Sequence, residues 1–403
     1  MSRSAVKPYQ LSWIMLLALL TALGPLSIDM YLPALPQMAQ DLGVTPQQVA
    51  NSLPAYFLGL AVGQLIYGPI SDRIGRKPPL YFGLILYVIG CILCTLVHNE
   101  WGLIAARVVQ ALGGCVGVVM ARAAIRDRLD INASSQAFAS MMIVMGIAPI
   151  AAPTLGAWVL AFSSWQGIFV LLAIVGVFCL ISIHFFFHET LLVEKRLKLN
   201  SKQVLILYSA IFKDPSFLFP MLCGCLGGGA MFAYINSATE VLMVHYHLSQ
   251  QQFAYLFGVN ALGITLMSSI NKRSASRFSI TTRLLMGGLV QFVGTILLII
   301  AGALGDLPLW MVMFGMFLVV SSVGLSGPNA MALAMAQQGS RAGTASAIMG
   351  SMQFLMGLLG GVILNFMVWN ALTNMALVMF IFSASTLSVM YIVLKQRPRK
   401  KIN

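Results

Sequence analysis

The sequence predicts an all-α membrane protein with twelve transmembrane helices, and three observations carry that reading. Hydrophobic residues make up 59% and charged residues only 9% of the 403, a balance that places the chain among integral membrane proteins and excludes a soluble enzyme. Apolar runs of about twenty residues, the length that spans the hydrocarbon core, recur with short breaks. They lie near 11–33, 51–70, 79–97, 101–121, 136–160, 165–187, 216–239, 251–270, 284–304, 308–330, 343–367 and 371–394. Charge supplies the third observation. The net charge is +13, and with a cytoplasmic N-terminus every Lys and Arg except Arg107 falls in or beside a cytoplasmic segment. This bias explains the charge without nucleic acid or another polyanionic partner, and an even number of spans puts the C-terminus in the cytoplasm too. Trp101, Trp158, Trp165, Trp310 and Trp369 are expected at the outer interface, as in an aromatic belt.

The first run is too long for a signal-peptide core and no small-residue cleavage site follows it before Asp29, so a cleavable leader is not expected. Segment 1–10, with Arg3 and Lys7, anchors the start. No charge occurs from Leu11 to Ile28, and Asp29 then appears deep in the first span. A mid-helix Asp costs about 2.5–3.5 kcal/mol on insertion scales, so it reads as a proton or cation site; the plainer reading is an acid close enough to the far interface to reach water. Pro25, one turn earlier, cannot donate to the Thr21 carbonyl and loosens the helix below the acid. Ala34 to Asn51, with Pro36, Asp41, Gly43 and Pro46, reads as a solvated connection.

The second span ends in Gly68-Pro-Ile-Ser-Asp72-Arg73-Ile-Gly75-Arg76-Lys77, which by itself is a charged turn obeying the inside rule. In the fourth span Arg107, Gln110, Ala111 and Gly114 share one face, and Gly113, Gly114 and Gly117 permit close helix approach. Arg107 lies six residues, about 9 Å, from Trp101, and Asp29 four residues, about 6 Å, from Pro33. At similar depth the two charges are expected to pair, which would lower the cost of both. The fifth span carries Gly146, Pro149, Pro153 and Gly156 on one stripe, whose plain reading is a kinked packing helix.

The loop 188–214, with Glu194, Lys195, Arg196, Lys198 and Lys202, divides the chain nearly in half. A faint repeat sets Asn271-Lys272 against Asp72-Arg73, so the second copy has lost its acid. Tyr31, Tyr56, Gln64, Gln110, Tyr234, Asn236, Asn260, Asn329 and Gln353 are polar points in apolar spans, either cavity ligands or packing contacts. Glu240 is expected to be solvated at an outer helix end. Gly324-Leu-Ser326-Gly327 resembles the motif of an intramembrane serine protease, but no histidine follows Ser326. Ala345, Gly350, Gly357 and Gly361 form a small-residue face, and Lys395 to Lys401 is a basic tail. All six cysteines, at 91, 94, 115, 179, 223 and 225, lie in predicted spans as packing residues. The Cys91 and Cys94 spacing is metal-like, but no second pair accompanies it, so neither a metal nor any other cofactor is expected.

The Gly68 to Lys77 turn, with its Asp-Arg, one residue, Gly-Arg-Lys order, resembles the loop signature of the major facilitator superfamily. The resemblance implies two pseudo-symmetric six-helix bundles around a central cavity that opens alternately to either side. It implies a gating role for Gly68, Asp72, Arg73, Gly75 and Arg76, with the acid held near the start of the eleventh span, at Arg341 to Thr344. The Gly146, Pro149, Pro153, Gly156 stripe resembles the antiporter motif of drug exporters. Asp29-Met-Tyr-Leu-Pro-Ala-Leu-Pro, Gln64-Leu-Ile-Tyr-Gly68-Pro, Arg122-Ala-Ala-Ile-Arg126-Asp127 and Gly343-Thr-Ala-Ser-Ala resemble the Bcr/CflA bicyclomycin-resistance subfamily of drug:proton antiporters. Ala111 and Ala238-Thr239 depart from its pattern.

The implied function is proton-coupled export of drugs or small amphipathic metabolites across the bacterial inner membrane. Asp29 would carry the proton and Arg107 would favour its charged form. The implied partners are protons, the small-molecule substrate and the lipid bilayer, with the chain a monomer. The implied division is a bundle 1–190, a cytoplasmic linker 191–213 and a bundle 214–403. No phosphate-binding Gly-x-x-x-x-Gly-Lys-[Ser/Thr] occurs, so ATP coupling is not expected. The alternatives are a proton-coupled nutrient symporter and, further off, a membrane enzyme or scaffold.

Overall fold

The computed structural model describes residues 11–129, 131–196, 201–305 and 307–395. Arg3, Lys7, Lys198 and the basic tail beyond Lys395 lie outside the described residues. Every described regular element is helical. The first half contains α1 (Leu11–Asp29), α2 (Leu35–Leu42), α3 (Pro46–Ala50), α4 (Ser52–Ile74), α5 (Lys77–Thr95), α6 (Glu100–Arg128), α7 (Ile131–Phe162) and α8 (Gln166–Phe186). The second contains α9 (Ser201–Phe212), α10 (Pro215–Thr239), α11 (Gln250–Ser274), α12 (Ile280–Leu304), α13 (Leu309–Met335), α14 (Ala342–Leu364) and α15 (Ala371–Lys395). Each of the twelve apolar runs falls on one of these helices. Eleven described helices are long and apolar enough to cross a membrane, and the remaining run lies in α7, whose described apolar part is Gly146–Phe162.

Helix faces are sorted in the opposite sense to a water-soluble bundle. On α5, Leu80, Leu84, Tyr87, Cys91 and Cys94 are buried while Phe82, Ile85, Ile89 and Ile92 are exposed. Both faces are apolar, and only a hydrocarbon solvent makes the outward one stable. Small residues then decide how closely helices meet. Gly113 of α6 lies against the backbone of Gly83 and Tyr87 in α5, Gly117 against Leu20 in α1, and Gly156 of α7 against the Met30 carbonyl. A methyl group at any of these would push backbones apart.

The halves meet along α4 with α14 and along α7 with α11. Gly361, Gly357 and Gly350 of α14 lie against Pro54, Phe57 and Gln64 of α4, in order, and Ser351 Oγ donates to the Ala61 carbonyl at 2.8 Å. At the end of the molecule away from the Gly68 to Lys77 turn, Gln47 Nε2 donates to Asn365 Oδ1 at 3.2 Å and Thr239 Oγ1 to the Leu32 carbonyl at 3.1 Å.

Four expectations change. The 34–51 connection is not simply solvated: α2 buries Leu35, Met38 and Ala39, and Gly43, at φ 67°, ends it in a left-handed cap. Such a cap costs glycine little and other residues more. Thr45 and Gln48 close a reciprocal capping box at the start of α3. Trp165 is buried at the start of α8 and does not face lipid, with Nε1 donating to Asp41 Oδ2 at 2.8 Å. The other four tryptophans are exposed. Glu240 is half-buried and opens a π-helical turn, Glu240–His245, that continues α10. The 191–213 segment holds a helix, α9, whose Tyr208 hydroxyl donates to the Leu65 carbonyl of α4 at 2.8 Å.

Candidate functional site

Helices α1, α4, α6, α7, α10, α11, α13 and α14 enclose a cavity of about 350 Å³, within the range of small-molecule pockets. Its walls are apolar, with Ile28, Leu60, Phe232, Phe257, Ile264 and Phe354. Its polar lining is Asp29, Gln64, Arg122, Tyr234, Asn260 and Gln353. Five of these six were singled out from the sequence; Arg122 was not.

Asp29 reaches this wall because α1 stops there. The residue is 4% exposed, and its Oδ1 is buried with no hydrogen-bond partner among the described residues. A charged carboxylate in that setting is costly unless something neutralises it. Opposite, Asn260 Nδ2 donates to the Tyr234 hydroxyl at 2.9 Å, which leaves Asn260 Oδ1 buried and unpartnered. The Tyr234 ring stacks on Phe257, with centroids 5.3 Å apart.

Arg107 does not pair with Asp29. Its Nη1 donates to Gln110 Oε1 at 2.6 Å and its Nη2 to the Ser27 carbonyl at 2.9 Å. The guanidinium lies over Tyr31 and Tyr56, 4.3 and 4.1 Å from their ring centroids. Desolvated cation–π contacts of this kind contribute about 2 kcal/mol. Ser27 is one of the last four carbonyls of α1, which a helix cannot satisfy internally, so Arg107 caps the negative end of the helix dipole two residues before the acid. The expected pair with Asp29 does not form: the Arg107 side chain turns around the helix axis to the Ser27 carbonyl and Gln110. The cage is fixed in turn by Tyr31 with Ser52 at 3.0 Å and Ser27 with Tyr87 at 2.8 Å.

Consequently Tyr31, Tyr56 and Gln110 surround Arg107 and do not line the cavity. Asn236 is buried outside it and donates to the Gly357 carbonyl at 3.3 Å. Asn329 donates to Asn271 Oδ1 at 2.8 Å and to the Leu325 carbonyl at 2.6 Å. Ser326 donates to the Ser322 carbonyl one turn back, at 3.1 Å. In the α7 stripe, Pro149 lines the cavity, Gly156 faces α1, and Gly146 faces Thr265 of α11.

A second cavity of about 350 Å³ lies at the end carrying the Gly68 to Lys77 turn and shares Gln64 and Arg122 with the first. Arg76 is its hub. Nη1 meets Asp72 Oδ1 at 2.6 Å and Ser71 Oγ at 2.7 Å, and Nε meets Asp127 Oδ2 at 2.8 Å. Gly75, at φ 103°, permits the bend that returns Arg76 onto α4. Glu189, overlooked in the sequence, accepts from the backbone N–H of Arg76 and Lys77 at 2.9 and 3.1 Å and so caps the start of α5. Burial pushes its carboxyl up, but backbone donors from Arg76, Leu191, Lys77 and Thr190 outweigh that and hold it below the ordinary range. Gly343 and Thr344, at the start of α14, line the same cavity. There it is the Arg126 guanidinium that lies beside Gly343, whereas Asp72 is engaged by Arg76. Arg73 and Gly68 also line this cavity.

The sequence pattern of the family described as Major Facilitator Superfamily matches residues 17–361. The "Uncharacterized MFS-type transporter YdgK" of Bacillus subtilis (strain 168) is 34% identical over 351 residues, 86% of this chain and 87% of its own. A "Bicyclomycin resistance protein homolog" of Haemophilus influenzae (strain ATCC 51907 / DSM 11121 / KW20 / Rd) is 30% identical over 349 residues, 87% of each chain. Among solved structures, a D-xylose-proton symporter superposes with a TM-score of 0.75 over 98% of this chain and 99% of its own, at 12% identity, a likeness of fold alone.

Proposed function

Since this chain belongs to the major facilitator superfamily, we propose that it is a proton-coupled antiporter that exports drugs or small amphipathic metabolites by alternating access. It is a multi-pass protein of the bacterial inner membrane, and a transporter rather than an enzyme. The similarity to a bicyclomycin resistance protein homolog supports drug export, as do the Bcr/CflA marks in the sequence.

One observation carries the proton coupling: among the described residues, the one acid that lines this largely apolar cavity of drug size has a buried oxygen without a hydrogen-bond partner. Protonation neutralises Asp29 when the cavity faces outward, and release to the cytoplasm resets it. Arg107 acts on the acid through α1, by holding the Ser27 carbonyl, and not by direct pairing. Moving one charge through 100 mV supplies about 2.3 kcal/mol, enough for roughly a fiftyfold gradient.

The proposal divides the chain into a bundle 1–190, a linker 191–213 and a bundle 214–403, working as a monomer. The Gly68, Asp72, Arg73, Gly75 and Arg76 turn gates the cytoplasmic end, and the Gly146, Pro149, Pro153, Gly156 stripe lets α7 move against α1 and α11. Asp29→Asn tests the reading in energised inside-out vesicles. A panel of antibiotics and metabolites is added while the pH gradient is monitored. Compound-triggered collapse is expected in the parent and not in the variant, which should still reach the membrane. Equal collapse in Asp29→Asn would remove the acid from the proton path.

A further inference from the structure

Arg122 is the second charge on the central cavity wall. Among the described residues no hydrogen bond or ion pair is made by its side chain, whereas Arg76 and Arg107 each have several partners. It is half-buried and lines both cavities, so it stands at their junction. Its nearest charged influence is another cation, Arg126, one turn along α6.

A guanidinium placed this way is costly unless an anion meets it. The two acids nearest the junction, Asp72 and Asp127, are both committed to Arg76. Arg73 and Arg126 line the outer part of the path with the N-terminal residues Gly343 and Thr344 of α14, whose dipole adds positive potential. The path from the charged end to the cavity is therefore cationic, and a cleft of one sign with apolar walls concentrates ligands of the other.

Asp29 and Arg122 are also well separated. Gly117 of α6 packs at the level of Leu20 in α1. Asp29 lies nine residues from that level in one direction and Arg122 five in the other, so their Cα atoms are roughly 20 Å apart along the bundle axis. The apolar wall formed by Leu60, Phe232, Ile264 and Phe354 lies in the cavity that both line.

We infer that the substrates of this cavity are amphipathic molecules bearing an anionic group, a carboxylate or sulfonate, which Arg122 binds while the apolar body rests on the phenylalanine wall. This deepens the antiporter reading and rests on it for the direction of movement. It assigns substrate charge to Arg122 and proton charge to Asp29, two sites at opposite ends of one cavity.

The test is equilibrium binding to the purified full chain in lipid nanodiscs, read by dansyl fluorescence, without a proton gradient. Three probes share one apolar body: dansylglycine (anion), its methyl ester (neutral) and a dansyl-aminoethyl trimethylammonium (cation). The parent is expected to favour the anion over the ester by about tenfold or more, and Arg122→Gln to lower that ratio by about ten- to a hundredfold, the range for a lost charge-assisted hydrogen bond. Arg122→Lys should keep part of the ratio, because it keeps charge but loses the planar fork. The ester's affinity in each variant shows whether the cavity is intact. A parent that binds ester or cation as tightly as the anion overturns the inference, as does an Arg122→Gln chain with an unchanged ratio. A failure of antiport appears separately, as absence of gradient collapse in vesicles, and leaves this binding result readable.

Discussion

The two halves of the molecule solve one problem with different chemistry. In each, an arginine ties down the end of a helix that enters a tight turn. In the first half Arg76 holds Asp72 and Asp127, and the Asp72 side chain remains 39% exposed. In the second half Arg283 donates to Asn271 Oδ1 at 2.7 Å and to its carbonyl at 3.1 Å, while Asn329 completes the group. Arg283, Asn271 and Asn329 are all buried. Charged groups near water can separate and be solvated, whereas buried amides cannot leave without losing their only partners. The first cluster is thus suited to opening and the second to holding.

Deleting each hub tests this most severely. Arg76→Ala takes from Asp72 and Asp127 the guanidinium that both contact, and breaking a buried ion pair from one side costs about 3–5 kcal/mol. The exposure of Asp72 brings the expectation to the lower end. Thermal unfolding in detergent should fall most for Arg76→Ala, with compound-driven proton flux lost. Arg283→Ala leaves Asn271 Oδ1 still satisfied by Asn329, so a smaller loss of about 1–3 kcal/mol is expected. The reverse order of melting temperatures would refute the division of roles.

Much of this architecture is legible in the sequence, because the bilayer demands long uncharged runs and the twelve runs announce themselves. Depth is legible too, since rise per residue converts position into height. Azimuth is not. Asp29 and Arg107 were expected to pair because they share a level, but the ring pair that receives Arg107 comes from α4 and from the turn after α1. No single helix displays that cage. Asn329 misled for the same reason: a polar residue in an apolar span faces a cavity or another helix with equal right. Thr45 and Gln48 are different, because the capping-box spacing was present and would have revealed the start of α3. Arg122 stood in a quoted motif, yet only the meeting of two cavities distinguishes it from the other basic residues near the membrane end.

Exchanging the chemistries sharpens the comparison further. Asp72→Asn gives the first half the second half's neutral partner. A partly exposed ion pair contributes about 0–1 kcal/mol, so stability should barely move, while the compound-driven flux should slow because the contact no longer gains from charge as the end opens and shuts. Asn271→Asp is the reciprocal change, placing an acid against Arg283 at a buried site. It should strengthen that contact and leave flux near the parent's, since the second cluster is not the one that parts. Rates of gradient collapse for both variants, set beside their melting temperatures, check the pair. Equal slowing in both would mean that the halves open symmetrically.

The smallest expected effect is in pH. Glu189 has its carboxyl held below the ordinary value of about 4.3, and it caps α5 most strongly while charged. A depressed acid contributes stability that is fully present above its unfolded value and lost as pH falls through the folded one. Arg283, Asn271 and Asn329 contain nothing that titrates in that range, so acid should loosen the first half's turn before the second's. Asp214 is also held low, chiefly by the Ser216 hydroxyl and also by Gln338, but it caps α10 and not the Asn271 turn. Hydrogen exchange, corrected for the intrinsic pH dependence, should show protection at the Arg76 and Lys77 amides holding down to about pH 4.3 and falling as the pH drops below it, with the amides after Asn271 unchanged. Glu189→Gln should show the loosened state already at neutral pH. If acid loosens both turns alike, the asymmetry between charged and neutral clusters does not extend to their backbone.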